Sequence, residues 1–184
     1  MKNVTLIGMK YFVVALGNPG PEYENTRHNV GRMAVASWQK AGESKATVII
    51  PDEMMNNSGK AIKPYIKNKK DLESLVVIHD DLDLPLGSFK ISFNRGAGGH
   101  RGVESVIKTL KSEAFVRVRI GLCPTTPGGK LKKPKGEEKV VNFILGKFKP
   151  AELAELKKVF KKVREAIAII ANEGKEKAMG EFNK

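Results

Sequence analysis

The chain has 184 residues, 41% hydrophobic and 29% charged, which suits one globular domain with a full hydrophobic core. No apolar run approaches the roughly 20 residues that span a bilayer, and Met1 to Met9 lacks the apolar segment and cleavage site of a signal peptide. A single cysteine, Cys123, excludes an internal disulfide framework and fits a reducing cytoplasm, while a net charge of +13 favours a polyanionic partner, nucleic acid ahead of membrane. Charge taken alone leaves a solvated lysine-rich surface equally open.

Tyr11 to Leu16 is an apolar, β-branched run closed by Gly17-Asn18-Pro19-Gly20, and it reads as a buried strand. Thr26 to Ala41 reads as a helix, because Val30, Met33, Ala34, Trp38 and Ala41 recur at helical spacing and Gly42 can stop it. Thr47 to Ile50 is a short strand ending at Pro51, and Ser58 to Asn68 has helical character broken at Pro64. Leu75 to Ile78 is a third buried strand, followed at its end by the acidic cluster His79-Asp80-Asp81-Leu82-Asp83-Leu84-Pro85, which also reads as a strand-to-turn transition. Phe89 to Phe93 alternates like a half-buried strand. Gly96 to Gly102 is a glycine-rich turn opening a helix from about Val103 to Leu110. Val116 to Leu122 is a strand with Arg117 and Arg119 on one face, and Pro124 to Lys139, rich in Gly, Pro and Lys, reads as a mobile loop. A long amphipathic helix from Pro150 to about Ala171 carries the stripe Leu153, Leu156, Phe160, Val163, Ile167 and Ile170. This alternation predicts the α/β class: a single-domain, three-layer α/β/α sandwich around a largely parallel mixed sheet.

In such sheets, ligands bind beyond the carboxyl ends of the strands. Three strand ends offer polar groups there: Asn18, the run Met54-Met55-Asn56-Asn57, and His79-Asp80, with His28 one turn into the first helix. A histidine base works near neutral pH when a carboxylate fixes its tautomer and charge, and Asp80 is the candidate for that role. No serine lies in a strained G-x-S-x-G turn, so the base would act on water directly, with Asn56 holding the water or stabilising an oxyanion. Each residue also has a plainer reading, His28 as a surface helix residue and Asp80 as a turn former. Convergence of three strand ends lowers the weight of that reading. Cys123 reads as a small core hydrophobe, and His79 beside three aspartates lacks a second histidine at ligand spacing. The Gly96–Gly102 turn departs by one residue from the dinucleotide fingerprint, and its flanking arginines suit phosphate.

The motif running from Leu16-Gly17-Asn18-Pro19-Gly20 through Tyr23 to Thr26-Arg27-His28-Asn29-Val30-Gly31 resembles the signature of bacterial-type peptidyl-tRNA hydrolases. Met54–Gly59, His79–Gly87, Gly98–Gly102, Arg117–Gly121 and Asn142–Phe148 follow in the family's order. The resemblance implies hydrolysis of the ester between a peptide, or an N-blocked amino acid, and the tRNA 3′ end. It implies His28 as proton acceptor, Asp80 as the acid that keeps it basic, Asn18 as discriminator of blocked from free α-amino groups, and Asn56 as a positioning amide. Tyr23 and Met54 fall at positions touching the tRNA end or the peptide, and Lys90, Arg119 and Lys147 become candidate phosphate contacts. No metal, cofactor or membrane is implied, the partner is peptidyl-tRNA, the compartment is the cytoplasm, and a monomer is the default.

Three departures from the family pattern stand out. Arg101 replaces the usual asparagine of Gly-Gly-His-Asn-Gly, putting a charged donor where an amide stood. About twenty residues usual between the first helix and the Met-Asn motif are missing, so that Gly42–Ala46 connects directly. Residues 1–10 form an extension ahead of a hydrolase-like domain at 11–184, and Val4–Ile7 is a candidate strand for the vacated sheet edge. The alternative function is a non-catalytic RNA-binding relative of the family.

Overall fold

The computed structural model describes residues 11–39 and 46–184; the expectations for residues 1–10 and for the connection through 42–45 lie outside the described residues. Strands β1 (Phe12–Ala15), β2 (Thr47–Ile49), β3 (Leu75–Pro85), β4 (Phe89–Phe93) and β5 (Val116–Cys123) form one sheet in the order β2-β1-β3-β5-β4. All neighbours run parallel except β4, which is antiparallel to β5. The helices are α1 (Val30–Gln39), α2 (Ser58–Ile62), α3 (Lys69–Glu73), α4 (Arg101–Leu110), α5 (Glu137–Leu145), α6 (Pro150–Glu173) and α7 (Lys175–Phe182).

The period-two alternation of the strands sorts their side chains into two cores. Val13, Val76, Ile78, Val118 and Ile120 pack against Val30, Ala34 and Trp38 of α1 and Leu156, Phe160, Val163 and Ile167 of α6. Phe12, Val14, Leu16, Leu75 and Val77 face the other way, onto Ile62 of α2 and Val103 and Val106 of α4. Buried on both faces, β1 and the first half of β3, Leu75–Ile78, need to be apolar, as their sequences are. The result is the three-layer α/β/α sandwich. Among the described residues, no helix is long and apolar enough to cross a membrane.

The structure corrects three sequence-based boundaries and adds one helix, α7, that the sequence reading did not contain. The third strand does not end at Ile78: β3 continues through the acidic cluster to Pro85, with His79, Asp80 and Asp81 in register with Arg119, Ile120 and Gly121 of β5 before the pairing shifts. A neighbouring strand supplies the hydrogen bonds that hold these polar residues extended. The helical region after Ser58 is two short helices, the second capped by Asn68, whose side chain accepts the Asp71 N–H. Helix α5 begins inside the expected loop, right after Gly136, with Glu137 and Glu138 in its dipole-favoured first turn. Helix α7 follows Gly174, and after it Asn183 pairs with both backbone groups of Ile91, covering the exposed edge strand β4.

Strand order places β1 at a topological switch point: α1 leads from it to β2 on one side, while β3 lies on the other. Helix α1 starts almost in contact with those strand ends. A Cβ added to Gly31 would stand 2.5 Å from the Ile78 carbonyl oxygen and 2.8 Å from that of Leu16. Only a glycine lets the helix, and the turn before it, approach this closely. Gly31→Ala is therefore expected to lower stability by about 1–3 kcal/mol, measured as a fall in melting temperature. An unchanged melting temperature would mean that the helix can lift off the strand ends without cost.

Candidate active site

At the carboxyl edge of β1 and β3 opens a cavity of about 610 Å³ lined by Asn18, His28, Met54, Asn56, His79, Asp80, His100, Arg101, Arg117 and Arg119, among others. His28 lies in a 3-10 turn, Arg27–Asn29, that leads directly into α1. Its Nδ1 is 2.9 Å from Asp80 Oδ1, and both groups are buried. A carboxylate only accepts, so Nδ1 carries the proton and Nε2 is left as an acceptor, with no partner among the described residues. His100, just before α4, brings its Nε2 to the same Asp80 oxygen, also at 2.9 Å. His79 turns away, donating from Nδ1 to the Asp80 carbonyl at 2.7 Å. All three histidines of the chain thus cluster at Asp80, two on its carboxylate and one on its backbone, with ring centroids 4.9 Å apart for His28 and His100 and 4.7 Å for His79 and His100. Two imidazoles and a carboxylate are donors a transition metal accepts, but here both N–H groups aim at one oxygen, the geometry of hydrogen bonds.

Burial pushes the Asp80 carboxyl up, yet the two imidazoles beside it outweigh burial and hold it far below the usual carboxylate range. Burial likewise works against a charged His28, but the Asp80 charge and hydrogen bond raise it above the ordinary histidine value, with Arg101 pulling it part of the way back. Burial, followed by the neighbouring His100, holds His79 well below that value. The depressed Asp80 stabilises the fold above its unfolded pKa of about 3.9, and that stability is lost as the pH falls through and beneath it. The raised His28 acts in the opposite sense, stabilising below about 6.5 and losing its effect as the pH rises through its folded value.

Asn18 joins two of the strand ends. Its Oδ1 accepts the Met55 N–H at 2.8 Å, and its backbone is held from both sides by the Asn29 side chain, at 2.8 and 2.9 Å. The Asn18 amide nitrogen takes no partner among the described residues and faces the cavity. Asn56 and Met54 are exposed on the cavity wall, and Arg101 is exposed at its rim, paired with Glu137 of α5 at 2.7 Å. Arg119 is buried and donates from Nε to Asp81 at 2.7 Å. Arg117, also buried, has no ion-pair partner among the described residues. Burial first, then the like charges of Arg119 and Arg95, push it down to about 10. Three of the expected contacts lie outside the cavity lining: Tyr23 is half-buried in the turn after β1, and Lys90 and Lys147 are exposed, Lys90 opposite Arg119 on β4.

Four residues of the site are not singled out by sequence reasoning: His100, Asn29, Arg117 and Arg27. Arg27 is buried beside His28, paired through both Glu152 oxygens, bonded to the Lys147 carbonyl, and stacked 4.5 Å from Phe143. It ties the His28 turn to α5 and α6. Each of the four lies within a quoted motif, but nothing in one dimension reveals which partner it meets. The glycine pair before His100 has a local cause, since Gly98 and Gly99 take φ of 61° and 80°, where side chains are strained.

A family model described as peptidyl-tRNA hydrolase matches residues 12–184. A peptidyl-tRNA hydrolase of a Synechococcus strain is 38% identical over 192 aligned residues, covering 93% of this chain and 82% of the relative. One from Thermodesulfovibrio yellowstonii is 37% identical over 194, covering 94% and 98%. The crystal structure of peptidyl-tRNA hydrolase from Acinetobacter baumannii superposes with a TM-score of 0.80 at 25% identity, covering 95% of this chain and 94% of that one.

Asp80→Asn removes the charge that holds a proton on His28, so the His28 imidazole is expected to titrate at lower pH in that variant. NMR of the ring protons measures this, and an unmoved midpoint would mean that Asp80 does not set the charge of His28.

Proposed function

Because the chain belongs to the peptidyl-tRNA hydrolase family, and is thereby an enzyme that cleaves the ester between a peptide and tRNA, we propose that His28 is its general base and Asp80 the group that orients it. One observation carries this reading. The His28 ring is anchored through Nδ1 to a buried carboxylate, while Nε2 remains an acceptor within the cavity. Water at Nε2 gives up a proton as its oxygen attacks the ester carbonyl carbon. The imidazolium then returns that proton to the ribose oxygen as the carbon–oxygen bond breaks, freeing a tRNA with its terminal hydroxyl restored and a peptide carboxylic acid, which loses its proton to solvent. Asn56, an exposed amide on the same wall, serves to hold the water or the developing oxyanion.

Asn18 gives selectivity a physical basis. With its oxygen committed to Met55, only its N–H groups face the cavity. A donor fixed in this way suits the amide carbonyl of a blocked α-amino group and repels a free ammonium, which has no acceptor to offer. Met54, together with Val140, Val141 and Ile144 of α5, offers an apolar wall to the peptide. The unpaired Arg117, with Arg119 beside it and Lys90 across the strand, supplies positive charge for the phosphates of the tRNA end. Arg101 stands free to exchange Glu137 for a substrate acceptor. Tyr23 and Lys147 flank the cleft without lining it. No step needs a metal or cofactor, one chain carries every group named, and the enzyme acts as a cytoplasmic monomer.

Incubated with N-blocked aminoacyl-tRNA, His28→Ala is expected to lose ester cleavage by roughly 10²-fold or more while still retaining the tRNA in a binding assay. Comparable turnover in that variant would remove His28 from its role. Binding of tRNA is expected to weaken steeply with added salt, because phosphate contacts release counterions. An affinity indifferent to ionic strength would contradict a phosphate-based interface.

A further inference from the structure

His100 is the one histidine at Asp80 Oδ1 that the proposed hydrolysis leaves without a task. Both of its ring nitrogens are committed. Nδ1 accepts the Val103 N–H at 3.2 Å and so caps α4, while Nε2 lies 2.9 Å from Asp80 Oδ1. A nitrogen that accepts an amide N–H carries no proton itself, so the proton sits on Nε2 and is donated to the carboxylate. The cap thereby fixes the donor role of Nε2 toward Asp80. His28 has a free nitrogen for chemistry, and His100 has none.

The two imidazoles compete for one acceptor. An oxygen that already receives the His100 proton has its charge partly satisfied, and it holds a proton on His28 less tightly than a carboxylate serving His28 alone. It is also held in place from two directions. Resting on the reading of His28 as the base, we infer that His100 is a positioning residue for the hydrolysis: its Nε2–H pins the Asp80 carboxylate against His28 Nδ1 and limits the basicity that Asp80 confers on His28. A base that keeps its proton too tightly is idle at neutral pH, and one without its carboxylate is too weak, so a second donor on the same oxygen tunes it between these limits.

The surrounding charges do not substitute for this contact. Arg101 faces His28 from the start of α4 but pairs with Glu137 of α5. Arg119 on β5 pairs with Asp81, Arg27 beside His28 pairs with Glu152 of α6, and Arg117 on β5 faces His79. His79 meets the His100 ring and bonds only the Asp80 backbone. Among the described residues, no side chain other than His28 and His100 bonds the Asp80 carboxylate.

Two substitutions separate the two tasks of His100. Asparagine places its side-chain amide where Nδ1 stands, so His100→Asn keeps the helix cap and loses the donor to Asp80. Glutamine places an N–H near the position of Nε2, so His100→Gln keeps the donor and loses the cap. The measurement is the pH profile of kcat/KM on N-blocked aminoacyl-tRNA, together with the NMR titration of His28 in the same proteins. His100→Asn is expected to move the acid limb and the His28 midpoint upward by about half a pH unit or more, while melting near the wild type. His100→Gln should leave both where they are, despite melting lower. The inference is overturned if His100→Asn leaves the His28 midpoint in place or lowers it, or if the two variants shift it equally. Failure of the underlying reading looks different: His28→Ala would stay active, or the wild-type rate would show no limb at the His28 midpoint, whatever His100 does to the titration.

Discussion

The Asp80 carboxylate is 4% exposed, in the middle of a parallel sheet, and a charge in such a place is tolerated only when its oxygens are hydrogen-bonded. That requirement organises the site. It draws His28 from the turn after β1 and His100 from the turn before α4 onto one oxygen. It settles the tautomer of each, because a carboxylate offers nothing but acceptors. It leaves His28 Nε2 as the one basic nitrogen of the pair open to the cavity. Asp81, the next residue along the strand, is neutralised separately by Arg119, so the two neighbouring carboxylates do not compete for the same cations.

Delivering His28 to that carboxylate is the work of packing. Gly31 lets α1 press onto the carbonyl ends of β1 and β3, and Asn29 locks the backbone of Asn18 in the adjoining loop. On its other side, Arg27 binds the turn to α5 and α6 through Glu152, a backbone carbonyl and the face of Phe143. His28 therefore sits on a turn clamped by three separate elements. The same clamp connects it to α5, whose apolar residues form a cavity wall. Residues 27, 28 and 29, consecutive in the chain, serve three different neighbours, which explains why a short motif carries so much of the site.

Much of this was legible beforehand. Apolar runs at Tyr11 and Leu75 mark strands, because a parallel strand covered on both faces is mostly apolar, and Val116 to Leu122 shows itself by alternation, with Arg117 and Arg119 on one face. The stripe on α6 announces its buried face by its period. The motif resemblance brings His28, Asp80, Asn18 and Asn56 together, and all four line one cavity. What misled were segments whose local composition opposes their tertiary setting. His79 to Asp81 reads as lying past the end of the strand, yet the ladder with β5 holds it extended. Glu137 to Lys139 belongs by composition to a glycine- and lysine-rich loop, yet α5 begins there.

The sequence by itself determined the fold class, the order of most elements and the family, since hydrophobic period and short motifs are properties of neighbouring residues. Tertiary structure alone decided which oxygen His28 shares and with which second imidazole, which arginine stays unpaired, and which contacts fall outside the cleft. Those are distances between residues 20, 52 or 125 positions apart in the chain, and hydrogen bonds and charge interactions depend on separations of a few ångströms that no spacing along the chain encodes.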